Sequence, residues 1–393
     1  MTHAANRPTQ LANDRFVDNR VYSDPEVYDL EVERVFGNSW LFACHESEIS
    51  NVGDYITTSN VGSPILVTRD HDERLRAYLN VCRHRGCRVV AGESGHASAF
   101  RCPYHFWVYS LEGDLVGLSG EEAYEGSGFR KEDHPLVELA CQSVHGLVFV
   151  HFGENPPALV DWIGADIVGH LSEPLAHGDF VVVQRQTWEL PINWKIFAEN
   201  VRDGYHVPFV HPFFRKASPP GTYHVYDGGH AFQRLGMDPS GVDPDLWGQI
   251  RQYPLPGIEE GDGYIANIFP DFNVTLRSNV LSLDSQRIVS GDKVILENRT
   301  LGLADDTDEI TAIRRLSHRT WFQNPVELED MPIFRAQQEG VVSPHLRYSV
   351  IARGKDATTG SRGDDNRLRH FWHQWRSLMG TEANSIDPTM SGS

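Results

Sequence analysis

The sequence predicts an α+β chain of two folded parts, and three observations carry that prediction. Short alternating apolar runs, punctuated by turn residues, fill the stretch from Trp40 to about Phe152. The segment GENPPALVDW then breaks the pattern. Beyond it, strand-like runs such as FVVVQRQTWEL and NVTLRSNVLSLDSQRIVSGDKVILENRTLGL are interspersed with helical text. At 393 residues the chain is long enough for two cores. The expected boundaries are 1–39 for an N-terminal segment packed on the second domain and 40–155 for an antiparallel β domain. A domain with a central antiparallel sheet flanked by helices follows over 156–381, and 382–393 is expected to be a frayed tail.

Each element has its own signal. YSDPEVYDLEVERVFGNSW reads as a short helix in which Ser23 and Glu26 form a capping-box pattern. Tyr28, Val32, Val35 and Phe36 share one face of it, and Gly37 can end it. A second helix is expected around NWKIFAENVRDGYHV. Residues 216–263, rich in Gly, Pro and Asp, are expected as mobile loops near an opening. Helical text resumes near Asp306, GKDATTGSRGDDNR reads as a loop, and NRLRHFWHQWRSLM is amphipathic with Leu368, Phe371, Trp375 and Leu378 on one stripe.

Composition excludes several functions. A net charge of −19, from 35 basic and 54 acidic residues, argues against nucleic-acid binding. No signal-peptide pattern and no run of transmembrane length is found, so a cytoplasmic location is expected. Five cysteines, an odd number, point to thiols and metal ligation rather than a disulfide framework. Neither a G-x-G-x-x-G turn nor a P-loop occurs, so the chain is not expected to bind its own nicotinamide or flavin.

Three of the five cysteines crowd into NVCRHRGCRVVAGESGHASAFRCPYHFW, Asn80 to Trp107, with four histidines. Cys82 and His84 form C-x-H, and Cys102 and His105 form C-x2-H. Two such pairs on adjacent loops can converge on one centre, either a structural zinc or a [2Fe–2S] cluster of mixed ligation. One sulfur and one nitrogen per loop lets both sulfurs hold one iron and both nitrogens the other. Gly86 and Pro103 stand where loops fold tightly. His96 reads as an exposed turn residue, and Cys44 and Cys141 as buried small apolar residues.

The second constellation is NWKIFAENVRDGYHVPFVH. His206 and His211 are five apart, so a regular helix would separate them. Gly204 and Pro208 make an unwinding or bend after His206 plausible. Glu199, Asp203 and His206 fall at i, i+4 and i+7, and Asp203 is placed to hold a ring nitrogen of His206.

Together these motifs resemble the Rieske non-haem iron ring-hydroxylating oxygenases. C-x-H-R-G with C-P-Y-H-x-W is similar to the Rieske cluster motif. Tyr104 stands where the respiratory branch has a second bridging cysteine, which leaves Cys87 without a partner and favours the oxygenase branch. Phe106 departs from the pattern, which has glycine there. Asn193, Trp194, Lys195, Glu199, Asn200, Asp203, Tyr205, His206 and His211 match the mononuclear-iron motif.

The resemblance implies a [2Fe–2S] cluster on Cys82, His84, Cys102 and His105, and Fe(II) on His206, His211 and a downstream carboxylate. Asp330 in NPVELEDMPIFRAQQEGV is the expected third ligand, with Gln338 eight residues on and Glu327 and Glu329 as competitors. Asp203 and Asn200 are the expected catalytic residues. Asp203 is to link His206 with His105 of an adjacent subunit in a homotrimer, with or without a small beta subunit.

The implied activity is that of a terminal oxygenase component. It uses O2, and electrons from a separate NAD(P)H-dependent reductase with or without a ferredoxin, to insert one or two oxygen atoms into an aromatic substrate. The look of the C-terminal half favours aromatic carboxylates such as salicylate, benzoate or terephthalate. Arg277 and Arg287 are then candidates for the carboxylate, and Val207, Phe209 and Phe213 for the ring. The competing readings are a demethylating Rieske monooxygenase, an electron-transfer-only iron–sulfur protein and a zinc-stabilised binding protein.

Overall fold

The structure is a computed structural model that describes residues 11–212, 223–236, 243–258, 262–277, 279–354 and 363–380. Two compact units are present, one of residues 40–159 and one of residues 1–39 with 160–393. Phe213 and the expected tail at 382–393 lie outside the described residues.

The chain opens with β1 (Phe16–Asp18) and α1 (Pro25–Arg34). Asp24, not Ser23, caps α1 by accepting the Glu26 N–H, and Pro25 occupies the first turn, where its missing N–H is not needed. Val27 and Glu31 are the buried positions of the helix, while Tyr28 and Val32 are only half-buried. Val35 and Phe36 are buried as the apolar pattern expects, but the pattern misses Glu31, a carboxylate that the helix turns inward.

The 40–159 unit contains β2 (Leu41–His45), β3 (Asp54–Asn60), β4 (Ser63–Arg69), β5 (Leu75–Leu79), β6 (Ser94–His96), β7 (Phe100–Arg101), β8 (Val108–Tyr109), β9 (Leu115–Gly117), β10 (Glu138–Val144) and β11 (Leu147–His151). Seven of these make one antiparallel sheet in the order β2-β11-β10-β5-β4-β3-β6, and β7, β8 and β9 make a small second sheet. Tyr78, Phe100, Trp107 and Tyr109 pack with Cys82 and Cys102 in one buried cluster. Cys44 is buried in β2, whereas Cys141 in β10 is half-buried.

In the second unit, α2 (Leu159–Ile163) and α3 (Ala165–Leu175) lead into β12 (Phe180–Leu190), α4 (Trp194–Asn200) and α5 (Val207–Val210). Then come β13 (Tyr223–Asp227), β14 (His230–Gly236), α6 (Pro244–Ile250), β15 (Asp262–Ile268), β16 (Phe272–Arg277), β17 (Val280–Ser290) and β18 (Lys293–Leu303). The stretch expected as loops thus holds a hairpin and a helix among its described residues. Its glycines and acids serve as turn and cap: Asp227 to His230 is a tight hairpin turn, and Asp243 caps α6 ahead of Pro244. The central antiparallel sheet runs β12-β18-β17-β16-β15-β14-β13.

Helix α7 (Asp308–His318) passes into π-helical turns over Arg319–Gln323 and Pro325–Asp330, and then into α8 (Met331–Val341). Strand β19 (Tyr348–Val350) pairs with β1, and α9 (Asn366–Met379) closes the described chain. Leu368, Phe371, Trp372, Trp375 and Met379 form the buried face of α9, and Leu378 is half-buried.

Candidate metal centres and active site

Two loops of the first unit share one backbone design. In the first, the Cys82 N–H donates to Cys87 O at 2.8 Å and the Gly86 N–H to Cys82 O at 3.0 Å. In the second, the Cys102 N–H donates to Trp107 O at 2.8 Å and the Phe106 N–H to Cys102 O at 3.1 Å. Gly86 and Phe106, each four residues after its cysteine, both adopt left-handed backbone, with φ of 70° and 59°. The residue that stands where glycine was expected therefore takes glycine's conformation. Its exposed ring lies under the Arg101 guanidinium, 5.1 Å from centroid to carbon.

Cys82 and Cys102 are buried, and the Nδ1 atoms of His84 and His105 face each other at 3.1 Å. Burial and the facing His105 ring hold His84 below the usual imidazole range, in the neutral form that ligates. Trp107 stacks on His84 with an interplanar angle of 9°. Tyr109, which the motif does not contain, places its hydroxyl 3.3 Å from Cys82 Sγ and accepts the Arg83 N–H. Two thiols and two apposed imidazoles at the tips of matched loops fit a [2Fe–2S] cluster of mixed ligation. Cys87 stands apart with its thiol against Arg88 O, and His96 pairs with Asp54, both as expected of non-ligands.

In the second unit, α4 ends at Asn200 and α5 begins at Val207. The break therefore lies before His206, not after it, and the one-turn α5 separates the two histidines. His206 and His211 flank it with Nε2 atoms 3.3 Å apart. Asp203 is beyond the end of α4, so it does not share a helical face with Glu199. Glu199 instead faces the core, where its Oε1 accepts from Tyr22 and Trp372, each at 2.8 Å. Burial pushes its carboxyl up to about 7 even so.

Of the three acidic candidates downstream, Asp330 reaches the facing Nε2 atoms of the two histidines. Its Oδ1 is 3.2 Å from His211 Nε2 and 3.7 Å from His206 Nε2. One donor atom from each of these three residues lies within 4.8 Å of the others. Glu329 accepts from His211 Nδ1 at 2.6 Å, and Glu327 faces Gln323. Asp203 Oδ2 lies 3.3 Å from His206 Nδ1, and Asn200 Nδ2 is 3.5 Å from Asp330 Oδ1. Burial opposes ionisation of Asp203, yet His206 and the Tyr205 N–H hold its carboxyl below the usual range. Gln338 acts from behind, accepting the Asn193 N–H at 2.6 Å, while Asn193 caps α4. A buried Asp330 among imidazoles, with Asp203 and Glu329 at their far nitrogens, is a donor set suited to a ferrous ion with open positions.

A cavity of about 150 Å³ opens over this triad. Asn200, Asp203 and Val207 reach it from the histidine segment, and Trp321, Phe322 and Val326 from the π-helical stretch. The pocket-facing side of the sheet contributes Gln233, Thr275, Arg277, Asp284 and Asn298, and Arg367 reaches in from α9. Of the candidate substrate residues, Val207 and Arg277 line the cavity. Arg287 instead pairs with Glu297, in a cluster with Arg185 and Arg299. Register explains this, because Arg287 alternates with Gln286 and points to the opposite face of β17 from Asp284. Phe209 is 65% exposed and is not part of the lining. Arg367, Asp284, Gln233 and Asn298 were not foreseen; a polar residue every second position along strands is the signal that could have flagged the last three.

A sulfur–imidazole loop pair and a two-histidine, one-carboxylate site over an aromatic-sized cavity define a two-centre iron oxygenase. Comparison with known proteins gives the family. Residues 39–126 match the Rieske [2Fe-2S] domain, and residues 177–381 the ring hydroxylating alpha subunit catalytic domain. The chain belongs to the Rieske ring-hydroxylating oxygenases, as an alpha subunit, with a [2Fe–2S] domain and a mononuclear-iron domain.

It is 32% identical over 392 residues to the alpha 2 subunit of terephthalate 1,2-dioxygenase from a Comamonas species, covering 92% of this chain and 95% of that one. It is 30% identical to the alpha subunit of 2-aminobenzenesulfonate 2,3-dioxygenase from an Alcaligenes species, covering 97% and 98%. Among solved structures, naphthalene 1,2-dioxygenase from a Rhodococcus species is similar with a TM-score of 0.79 and 26% identity, over 94% of this chain and 95% of that one. The catalytic-domain match sets aside the electron-transfer-only and zinc-binding readings. No helix among the described residues is long and apolar enough to cross a membrane.

Proposed function

We propose that this chain is the terminal oxygenase for a single-ring aromatic carboxylate, with a separate reductase supplying the electrons. The observation that carries the reading is the cavity. Its volume of about 150 Å³ is the size that holds one benzene ring, and two guanidinium groups line it. Arg367 is 4% exposed, and its Nη1 has no hydrogen-bond partner. Its charge is felt by the Asp203 and Asp364 carboxylates, but its unused buried donor is costly until an acceptor reaches it. Arg277 is half-buried and donates to Leu276 O at 3.0 Å. The two relatives above are named for single rings that carry acid groups, which fits the same reading.

Cys82, Cys102, His84 and His105 would hold the cluster, and His206, His211 and Asp330 the iron. When bound, these groups supply single electrons and a site for dioxygen activation beside the ring. Asp203 and Glu329 fix the ring orientation and tautomer of the two iron histidines through their Nδ1 atoms. Asn200 steadies the Asp330 carboxylate, and Phe322, Val326 and Val207 exclude water from the ring. Asp203 is 26% exposed at its side chain, which leaves it open to His105 of an adjacent subunit in the homotrimer.

An oxygen-uptake and product screen with a compatible reductase tests the reading. Aromatic carboxylates should give oxygenated product, and Arg367→Gln should raise KM for them tenfold or more with a smaller change in kcat. Turnover of benzene or toluene with none of the carboxylates would overturn it.

A further inference from the structure

The polar groups on the cavity floor differ in which of their atoms are left without a partner. Asp284 on β17 lies directly across from Asn298 on β18, and both face the cavity. Asn298 Nδ2 is spent within the protein, donating to Asp284 Oδ1 at 2.5 Å and to Ser282 Oγ at 2.6 Å. That leaves Asn298 Oδ1, on a side chain only 4% exposed, with no partner. Asp284 Oδ2 has only the Ser282 hydroxyl, at 3.4 Å, the outer limit of a hydrogen bond. The unused valences of this pair are therefore acceptors, although Thr300 Oγ1 and Gln286 Nε2, each two residues along the same strands, are buried donors that do not reach them.

The opposite corner holds donors. Gln233 on β14 is 1% exposed, lines the cavity and has no partner for Nε2. Arg277 pairs in register with Val280, four residues along β17 from Asp284, a separation of about 13 Å along the strand. Helix α9, which carries Arg367, packs against β14.

We propose that Asp284 and Asn298 form a specificity subsite for an amino group on the substrate ring, para to its carboxylate. The inference deepens the aromatic-carboxylate reading and rests on it for the position of the ring. Two adjacent acceptors that no hydrogen bond from Thr275, Gln286 or Thr300 reaches call for a group that brings two hydrogens, and an aromatic amine does so. A hydroxyl brings one and leaves Asn298 Oδ1 or Asp284 Oδ2 unmet. Burial pushes the Asp284 carboxyl up to about 6 despite the Asn298 and Ser282 contacts, as expected of a carboxylate short of donors. The acid of the substrate then lies towards Arg277, Gln233 and Arg367, and a para arrangement separates the two substituents most.

The test is calorimetric binding to the cluster- and iron-loaded protein without oxygen or reductant, using 4-aminobenzoate, 4-hydroxybenzoate, benzoate and aniline. The proposal expects 4-aminobenzoate to bind about tenfold or more tightly than benzoate, with 4-hydroxybenzoate between them. Asp284→Asn, nearly isosteric, should erase the advantage of 4-aminobenzoate over benzoate. If that variant fails to fold, Asn298→Ala should reduce the same advantage. Equal affinity for benzoate and 4-aminobenzoate, or 4-hydroxybenzoate binding tightest, overturns the subsite while leaving the carboxylate reading intact. Aniline binding that depends on Asp284, with no benzoate binding, supports the subsite and overturns the carboxylate reading. Binding of none of the four overturns both.

Discussion

Lys195 Nζ lies 2.6 Å from Glu31 Oε1, and both side chains are wholly buried. The indoles of Trp194 and Trp375 donate to the same carboxylate, at 2.9 and 2.6 Å. Helix α4, which leads into the iron segment, is thereby tied to α1 and α9. Replacing one member of a buried ion pair strands the other, a loss of about 3–5 kcal/mol. Lys195→Met should show a fall of that order in denaturant unfolding. Adding Glu31→Gln should restore part of it, because the stranded charge is gone. A double variant no more stable than Lys195→Met would show that the indoles, not the charge, dominate.

The metal assignments separate cleanly by colour and content. His211→Ala should lose the mononuclear iron and all product formation while the cluster absorption persists. Glu329→Gln, which alters only the hydrogen bond behind His211, should weaken iron binding about 10–100-fold. Asp203→Asn should keep both metals and nearly abolish turnover. Iron and sulfide analysis beside activity checks all three.

The matched loops give a conformational prediction. A left-handed L-residue costs about 1–2 kcal/mol, while glycine loses about 0.5–1 kcal/mol in chain entropy. Phe106→Gly should therefore change stability by less than about 1 kcal/mol and retain the cluster spectrum. Phe106→Val should be clearly less stable, because a branched side chain tolerates that backbone worst. A Cβ at Gly86 would meet nothing within 4 Å, so Gly86→Ala should cost only the conformational term. Thermal melts of the three variants decide it.

His318 predicts a pH dependence. It is buried with neither ring nitrogen bonded, and burial lowers its pKa to about 4. The unfolded chain protonates this ring near 6.5, so between 6.5 and 4 the unfolded state binds the extra proton. Stability due to the neutral ring is thus complete above about 6.5 and lost as pH falls through that window. The stability difference between the native protein and His318→Phe should shift by about 1.4 kcal/mol per pH unit below 6.5. A pH-independent difference would mean the ring stays neutral in both states.

Much of this was legible beforehand, for physical reasons that particular residues show. The pairing of Cys82 and His84 with Cys102 and His105 on two matched loops was readable because ligand chemistry needs fixed types at close spacing. His206 and His211 were readable for the same reason, but the position of the bend was not. It depends on where α4 stops, and local propensity fixes helix ends poorly. Asp330 could be chosen over Glu329 and Glu327 only through the family resemblance, since π-helical turns decide which of the three points inward. Arg287 failed because a one-residue shift along a strand reverses the face. The inward turn of Glu31 was invisible because its partners, Lys195, Trp194 and Trp375, are more than 160 residues away.

The two buried carboxylates also bear on how the molecule is made. Trp372 and Trp375, which satisfy Glu199 and Glu31, are among the last described residues to leave the ribosome, long after the iron segment has emerged. Until they arrive, Glu199 sits without its indole donor and Glu31 has that of Trp194 alone, so the helix before the iron histidines lacks part of its lock. The nascent chain should therefore assemble its sulfur-bearing domain during translation, and become competent to take up ferrous ion only after synthesis has run through α9.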